Sequence, residues 1–508
     1  MSKLRIASIL FLFSTVILKF SSMFRDLIIA NYFGDSYAVD AYIAAMTIPN
    51  AIILFMLTGM KDAFVPSYYK YKELGLGEQH KSHIVKGTFW VCFILSVIGI
   101  IISSPLVHFL YPNFPTKGLE VATWTAIIYF SSIVMVGVNA VYEGYFDAEK
   151  MFSFSVFSQT LVVLVTIVSA ILFHQNLGIY SVPIGYFMGT VLSLILKFLV
   201  LQPRKKFILW KQKLDINEVK MFYLIFIPVG LTIAVGQINL FVNTLFAAQL
   251  GEGVVANLNY AFRLVSIPQA IFGVTIATII YPMLAEAKSK NNIPLFKKGI
   301  EKGLVYMFLF VAPTVAGMMV LIKPIVRVVY ERGAFDTDAT LMTSELSIFY
   351  IGSVLFYSIQ AVVAKGFYTL EKGHYMFRIG MTSIVLNVIF NAIFAHLLGA
   401  KGLALSASLV GLCYSVITFS TLYKLVKGFN KRYLVFEYGK ILISTLLMAS
   451  IVFYISKLVF IQSLNIYVML LLVICMGALV YFASLYLFKT SSFKELLNSN
   501  KIKIRKMN

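Results

Sequence analysis

Lys19, Arg25 and Asp26 sit where a membrane-crossing chain should carry no charge. The apolar run "SILFLFSTVIL" leads through Lys19 into "FSSMFRDLIIANYFGDSYAVDAY". A charge at the bilayer centre costs at least about 2.5–3.5 kcal/mol, so it persists where it lines water, pairs, or binds something. At helical spacing, Ser14, Thr15, Lys19, Ser21, Ser22, Arg25 and Asp26 fall within an arc of roughly 160°. Phe13, Val16, Ile17, Phe20, Met23, Phe24 and Leu27 fill the other side, and only Leu18 interrupts the polar arc. The chemistry such a face offers is anion recognition, because a planar guanidinium binds two oxygens of a diphosphate at once. A local Arg25–Asp26 ion pair or snorkelling to the outer interface is the alternative. Snorkelling is hardest for Lys19, near the middle of the span.

A second set lies in "ANLNYAFRLVSIPQA", where Asn259, Arg263 and Ser266 share one stripe at i−4 and i+3. Asp40 is the nearest obvious carboxylate for Arg25; it orients that arginine, gates, or caps the second span. In "SIVLNVIFNAIF", Asn387 and Asn391 are four apart, which suits either a cation held by carbonyl oxygens or a link between helices. Lys61 and Asp62 adjoin the inner end of the second span and are expected at the cytoplasmic mouth. Glu143 and Lys365 occupy repeat-related positions suited to support or gating. His80 and His83 share an expected loop without the partners of a metal set. Cys92, Cys413 and Cys475 lie in apolar runs with no CxxC pair. There is no nucleophile–base constellation, Walker motif or phosphate-cradling glycine loop. The expectation is a transporter, not an enzyme, with no cofactor and with coupling to a monovalent ion or the membrane potential.

The elements that must position these residues are transmembrane helices. The 508 residues are 59% hydrophobic and 13% charged, with mean hydropathy +0.86. Apolar runs of about 20 residues recur throughout. We read about 14 spans: 7–32, 37–68, 84–110, 119–143, 151–173, 178–201, 219–248, 254–285, 299–322, 340–369, 376–398, 402–426, 438–460 and 465–488. "MSKLRIASILFLF" is signal-like but has no clear cleavage site, and is read as a retained first helix. Lysine and arginine crowd alternate loops, which places both termini in the cytoplasm. The net charge of +21 is spread over those loops rather than one patch, which argues against nucleic acid as a partner.

The chain also repeats. Pro49 and Pro268, Pro105 and Pro324, and Tyr111 and Tyr330 are each 219 residues apart; Lys150 and Lys372 are 222 apart, and Leu177–Gly178 and Leu398–Gly399 are 221 apart. Six spans per copy give a parallel repeat about the membrane normal, with a site between lobes. Arg25 and Arg263 are expected to converge there. The expected layout is an N-terminal lobe at 1–203, a cytoplasmic linker at 204–218, a C-terminal lobe at 219–430, two further helices at 431–488 and a basic tail at 489–508.

At these residues the chain resembles a known family. "FRDLIIANYFGDSYAVDAYIAAMTIPN" with "AFVP", then "YAFRLVSIPQAIFGVTIATIIYPMLAE", "YERGAFDTDAT" and "KGFYTLEK" are similar to the MurJ (MviN) lipid II flippases. The likeness runs from about residue 7 to 430. It implies a MATE-like fold of 14 helices in the bacterial cytoplasmic membrane. It implies export of the undecaprenyl-diphosphate-linked disaccharide-pentapeptide by alternating access, with cell-wall synthesis proteins as further partners of a monomer. It implies that Lys19, Arg25, Asp26 and Arg263 meet the diphosphate headgroup, that Asp40 matches the family aspartate, and that the last two helices form a lipid-tail groove. Lys19 stands where the family often has arginine. A family basic position falls near Ile53 and an acidic one near Thr58. The family's sodium site would fall on Asn243, Asn387 and Asn391, with no carboxylate. The alternatives are export of another undecaprenyl-linked polysaccharide precursor and cation-coupled multidrug antiport.

Overall fold

Lipid offers no hydrogen bonds, so a spanning chain must satisfy its backbone internally, and this one does so with helices. The computed structural model describes residues 3–201 and 213–496. The helices are α1 (Lys3–Phe33), α2 (Tyr37–Glu73), α3 (Gly77–Leu110), α4 (Thr116–Ala148), α5 (Phe152–Leu177), α6 (Ser181–Leu201), α7 (Ile216–Ala247), α8 (Val254–Pro268), α9 (Val274–Ser289), α10 (Ile293–Tyr330), α11 (Thr337–Thr369), α12 (Gly373–Leu398), α13 (Ala400–Leu425), α14 (Lys431–Ser456), α15 (Val459–Gln462) and α16 (Ile466–Leu487). A π-helical turn, Gln269–Gly273, joins α8 to α9. With α8 and α9 counted as one broken span and the short α15 left out, fourteen long helices stand among the described residues, consistent with the sequence reading. Arg204, Lys205, Lys206 and Lys211 of the expected linker, and the "KIKIRK" tail, lie outside the described residues.

Polar residues start the helices. The side chains of Asp215, Asn292, Asn430 and Asn465 accept backbone N–H bonds at the starts of α7, α10, α14 and α16, which satisfies donors a helix leaves open. Many helices outrun the expected spans, although α16 falls within 465–488 and α14 ends at Ser456, short of the expected 460. The 37 residues of α2 extend about 55 Å at roughly 1.5 Å per residue, well beyond a hydrocarbon core of about 30 Å. His80 and His83, expected in a loop, therefore lie in the first turns of α3. His80 is buried, with Nδ1 on Glu218 and Nε2 2.9 Å from Ser67 Oγ. His83 Nδ1 lies 2.6 Å from the other Glu218 oxygen. Sequence spacing gave no sign of Glu218, which arrives from α7.

The backbone repeats where the sequence does. Gly178 closes α5 at φ 54°, ψ −141°, and Gly399 closes α12 at φ 58°, ψ −135°. Lys150 and Glu371, 221 residues apart, both take positive φ, at 63° and 60°. Within each half the same pairs pack: α2 with α4, α3 with α4 and α5 with α6, then α9 with α11, α10 with α11 and α12 with α13.

The chain divides into two compact units. The first holds the described residues up to Ala256 and Arg332–Asp336; the second holds Asn257–Glu331 and the described residues from Thr337 onward. The repeat would make α7 the first helix of the second lobe, yet α7 packs on α2 and α3 in the first unit. Glycines let it in close. A Cβ on Gly230 would lie 2.2 Å from the Phe55 ring, and one on Gly87 would lie 2.5 Å from Val219. Phe55 and Phe226 meet edge to face at 4.7 Å.

Candidate substrate-binding site

In the first unit, α1 packs along α5 and carries Lys19, Arg25 and Asp26. Lys19 is exposed, Arg25 half-buried and Asp26 buried. Arg25 donates from Nε (3.1 Å) and Nη2 (2.9 Å), both to Asp26 Oδ1. Two of five N–H groups are thereby engaged, which leaves the guanidinium with donor capacity for an anion. Sequence reasoning missed what surrounds it. Tyr42 and Tyr129 stand near Arg25, their hydroxyls lie 3.1 Å apart, and the Tyr129 ring stacks on Tyr186 at 4.9 Å. These tyrosines come from α2, α4 and α6. Only their presence within apolar spans could have drawn notice.

Asp40 does a different job from orienting Arg25. It is buried on α2, and its Oδ2 and Oδ1 accept from the backbone N–H groups of Gly253 (2.6 Å) and Ala256 (2.7 Å). It therefore caps α8, where a carboxylate also meets the positive end of the helix dipole. Glu252 Oε1 returns the favour by accepting from Tyr37 N at the start of α2, at 3.0 Å.

In the second unit the α8 stripe forms in part. Arg263 Nε donates to Asn259 Oδ1 at 2.6 Å, so Asn259 orients the guanidinium. Ser266 Oγ donates to the Arg263 backbone oxygen at 3.0 Å, so its hydroxyl serves the helix rather than the arginine side chain. The π turn begins six residues after Arg263; such turns interrupt the α-helical ladder and recur at functional sites. Asn387 and Asn391 are buried, with Asn391 Nδ2 donating to Asn387 Oδ1 at 3.3 Å. Asn243 lies on α7, in the first unit.

Glu143 stands at the centre of a buried ionic cluster. Lys61 Nζ lies 3.0 Å and Lys197 Nζ 2.9 Å from its two oxygens, and Gln159 Nε2 donates at 2.6 Å. Lys197 also reaches Asn139 Oδ1 at 2.7 Å. Lys61, expected at the cytoplasmic mouth, thus turns into the packing of α2, α4, α5 and α6. Lys365, the repeat-related position in the second unit, instead places Nζ 5.1 Å from the centre of the Tyr281 ring.

Long apolar helices, a duplicated packing pattern and arginines set within spans define a multi-pass membrane protein of the transporter class. Solved structures agree in fold. A lipid II flippase MurJ in an inward closed conformation superposes with TM-score 0.81 at 24% identity, over 96% of this chain and 100% of that one. An inward-facing MATE family multidrug transporter of the MOP superfamily superposes with TM-score 0.71 at 13% identity, over 80% and 94%. The model of the family "Lipid II flippase MurJ" matches residues 29–476, and the chain belongs to that family. It is 27% identical over 416 residues to the lipid II flippase MurJ of Burkholderia cenocepacia, covering 78% of this chain and 80% of that protein. It is 25% identical over 463 residues to the probable lipid II flippase MurJ of Haemophilus influenzae, covering 87% and 90%. Asp40, Arg263, Asn387 and Asn391 fall inside the matched stretch; Lys19, Arg25 and Asp26 precede it.

Proposed function

We infer that this chain is a lipid II flippase, moving the undecaprenyl-diphosphate-linked disaccharide-pentapeptide from the inner to the outer leaflet by alternating access. The family match over residues 29–476 carries the reading. Arg25, Lys19 and Arg263 neutralise the diphosphate, Asp26 and Asn259 orient the two guanidiniums, and the polyprenyl tail stays in lipid. Phosphate recognition by paired forks suits this set, since arginine stays charged at any physiological pH. No bond is made or broken, so the chain works as a transporter in the bacterial inner membrane, with both termini on the cytoplasmic side. The energy comes from the membrane potential or a monovalent ion, with Asn243, Asn387 and Asn391 as the candidate cation ligands.

The test is rescue of a bacterium depleted of its own lipid II flippase. Wild type should restore growth; Arg25→Ala and Arg263→Ala should fail at matched membrane levels. If well-expressed wild type fails as well, the lipid II assignment falls, and another undecaprenyl-linked glycan becomes the substrate to seek.

A further inference from the structure

The second unit carries a groove that transport of a headgroup does not need. It follows α13 from Tyr423 to Leu412 and is walled by Phe356 of α11 and by Leu434 and Tyr438 of α14, with a volume of about 780 Å³. The eleven helical steps between Leu412 and Tyr423 rise about 16 Å, which is one leaflet of a hydrocarbon core of about 30 Å. The groove opens sideways: Val416 and Val435 on its walls are 52% and 69% exposed.

At its lysine-rich end the groove runs into a second cavity, of about 610 Å³, with Tyr423 and Phe429 lining both. Lys297, Lys298, Lys302 and Lys427 line this cup, and Lys424 and Lys431 stand on the groove side of the junction. Against six lysines there are two carboxylates, Glu301 and Glu495. Both are engaged. Glu301 accepts from Asn430 N at 2.6 Å. Lys302 bonds Glu495 at 2.7 Å and holds its carboxyl below the usual range. The remaining lysines give the cup a positive balance.

We propose that this groove and cup hold one anionic glycerophospholipid, its acyl chains along α13 and α14 and its phosphate among Lys298, Lys424 and Lys431. The apolar wall alone would accept any lipid. The lysines select, because basic pockets at the membrane surface favour net-negative headgroups over zwitterionic ones. Long lysine stems lie along apolar surface while their ammonium groups reach the phosphate level.

The full-length protein in detergent, titrated with phosphatidylglycerol or phosphatidylcholine of matched chains and read by native mass spectrometry, tests this. Wild type should retain one phosphatidylglycerol at least about tenfold better than phosphatidylcholine. Lys298→Gln, Lys424→Gln and Lys431→Gln together should bring phosphatidylglycerol down to the phosphatidylcholine level. Ser420→Trp, which fills the groove, should weaken retention of both lipids. Equal retention of the two lipids by wild type overturns the proposal, as does undiminished preference in the triple variant. If undecaprenyl phosphate displaces phosphatidylglycerol at equal concentration, the site belongs to a prenyl lipid and the assignment is wrong. Should the triple variant not fold, single Lys424→Gln and Lys431→Gln carry the comparison, and an unchanged preference in both sinks it.

Discussion

Arg25 is held by its sequence neighbour, and both of its bonds converge on one oxygen, Asp26 Oδ1. That leaves a guanidinium fixed in direction yet able to donate further. Charge-assisted hydrogen bonds contribute about 1.5–3 kcal/mol each, so loss of one lowers transport by an order of magnitude or more. Arg25→Lys keeps the charge and loses the fork; we expect transport well below wild type but above Arg25→Ala, read as lipid II reaching the outer leaflet. Asn259 acts on Arg263 through a 2.6 Å bond. Asn259→Ala should therefore cost less than Arg263→Ala, and the double variant should be no worse than Arg263→Ala in the same assay. An additive double variant would mean that Asn259 has a separate role.

At the scale of elements, buried polar groups hold particular helices together. Glu143 joins Lys61 of α2 to Lys197 of α6. Removing one partner of a buried pair costs about 3–5 kcal/mol because the remaining charges stay uncompensated. Glu143→Gln should lower the thermal midpoint in detergent sharply, and adding Lys197→Met should recover part of the loss. Asp40 fastens the start of α8 to α2. Asp40→Ala removes a cap, which typically costs about 1 kcal/mol, with more expected here because the freed N–H groups are buried. Faster amide exchange at Gly253 and Ala256, with little change elsewhere, is the expected signature.

For the whole molecule, the basic residues proposed to meet the headgroup lead us to predict that transport responds to the field across the membrane. One charge crossing 100 mV changes the energy by about 2.3 kcal/mol. If net charge moves with the substrate-free protein as it resets, collapse of the potential in proteoliposomes should slow flipping at constant pH. Replacing sodium by potassium should change little, because the candidate cation ligands Asn243, Asn387 and Asn391 are all neutral. A sodium-dependent rate without potential dependence would reverse that assignment.

Whatever depends on local spacing and on composition was legible in the chain alone. Apolar runs of membrane length fixed helices as the only backbone solution. Spacing of i+4 set the contacts of Asn259 with Arg263 and of Asn387 with Asn391, because one helix turn brings such residues together whatever the rest of the chain does; Arg25 reaches Asp26 as its immediate chain neighbour through the length of its own side chain. The repeat was legible because equal turns need equal residue types, as at Gly178 and Gly399. Where span ends were read short, as at the starts of α3 and α10, hydropathy marks where lipid stops and the helix continues past it. Partners that come from distant helices emerged only with folding: Lys197 for Glu143, Glu218 for His80 and His83, the tyrosines near Arg25, and the α8 backbone for Asp40. The tertiary structure also decided that α7 packs with the first unit, through glycines whose missing side chains admit aromatic rings. Such contacts depend on which helix faces meet, and helical periodicity specifies a face without specifying its neighbour.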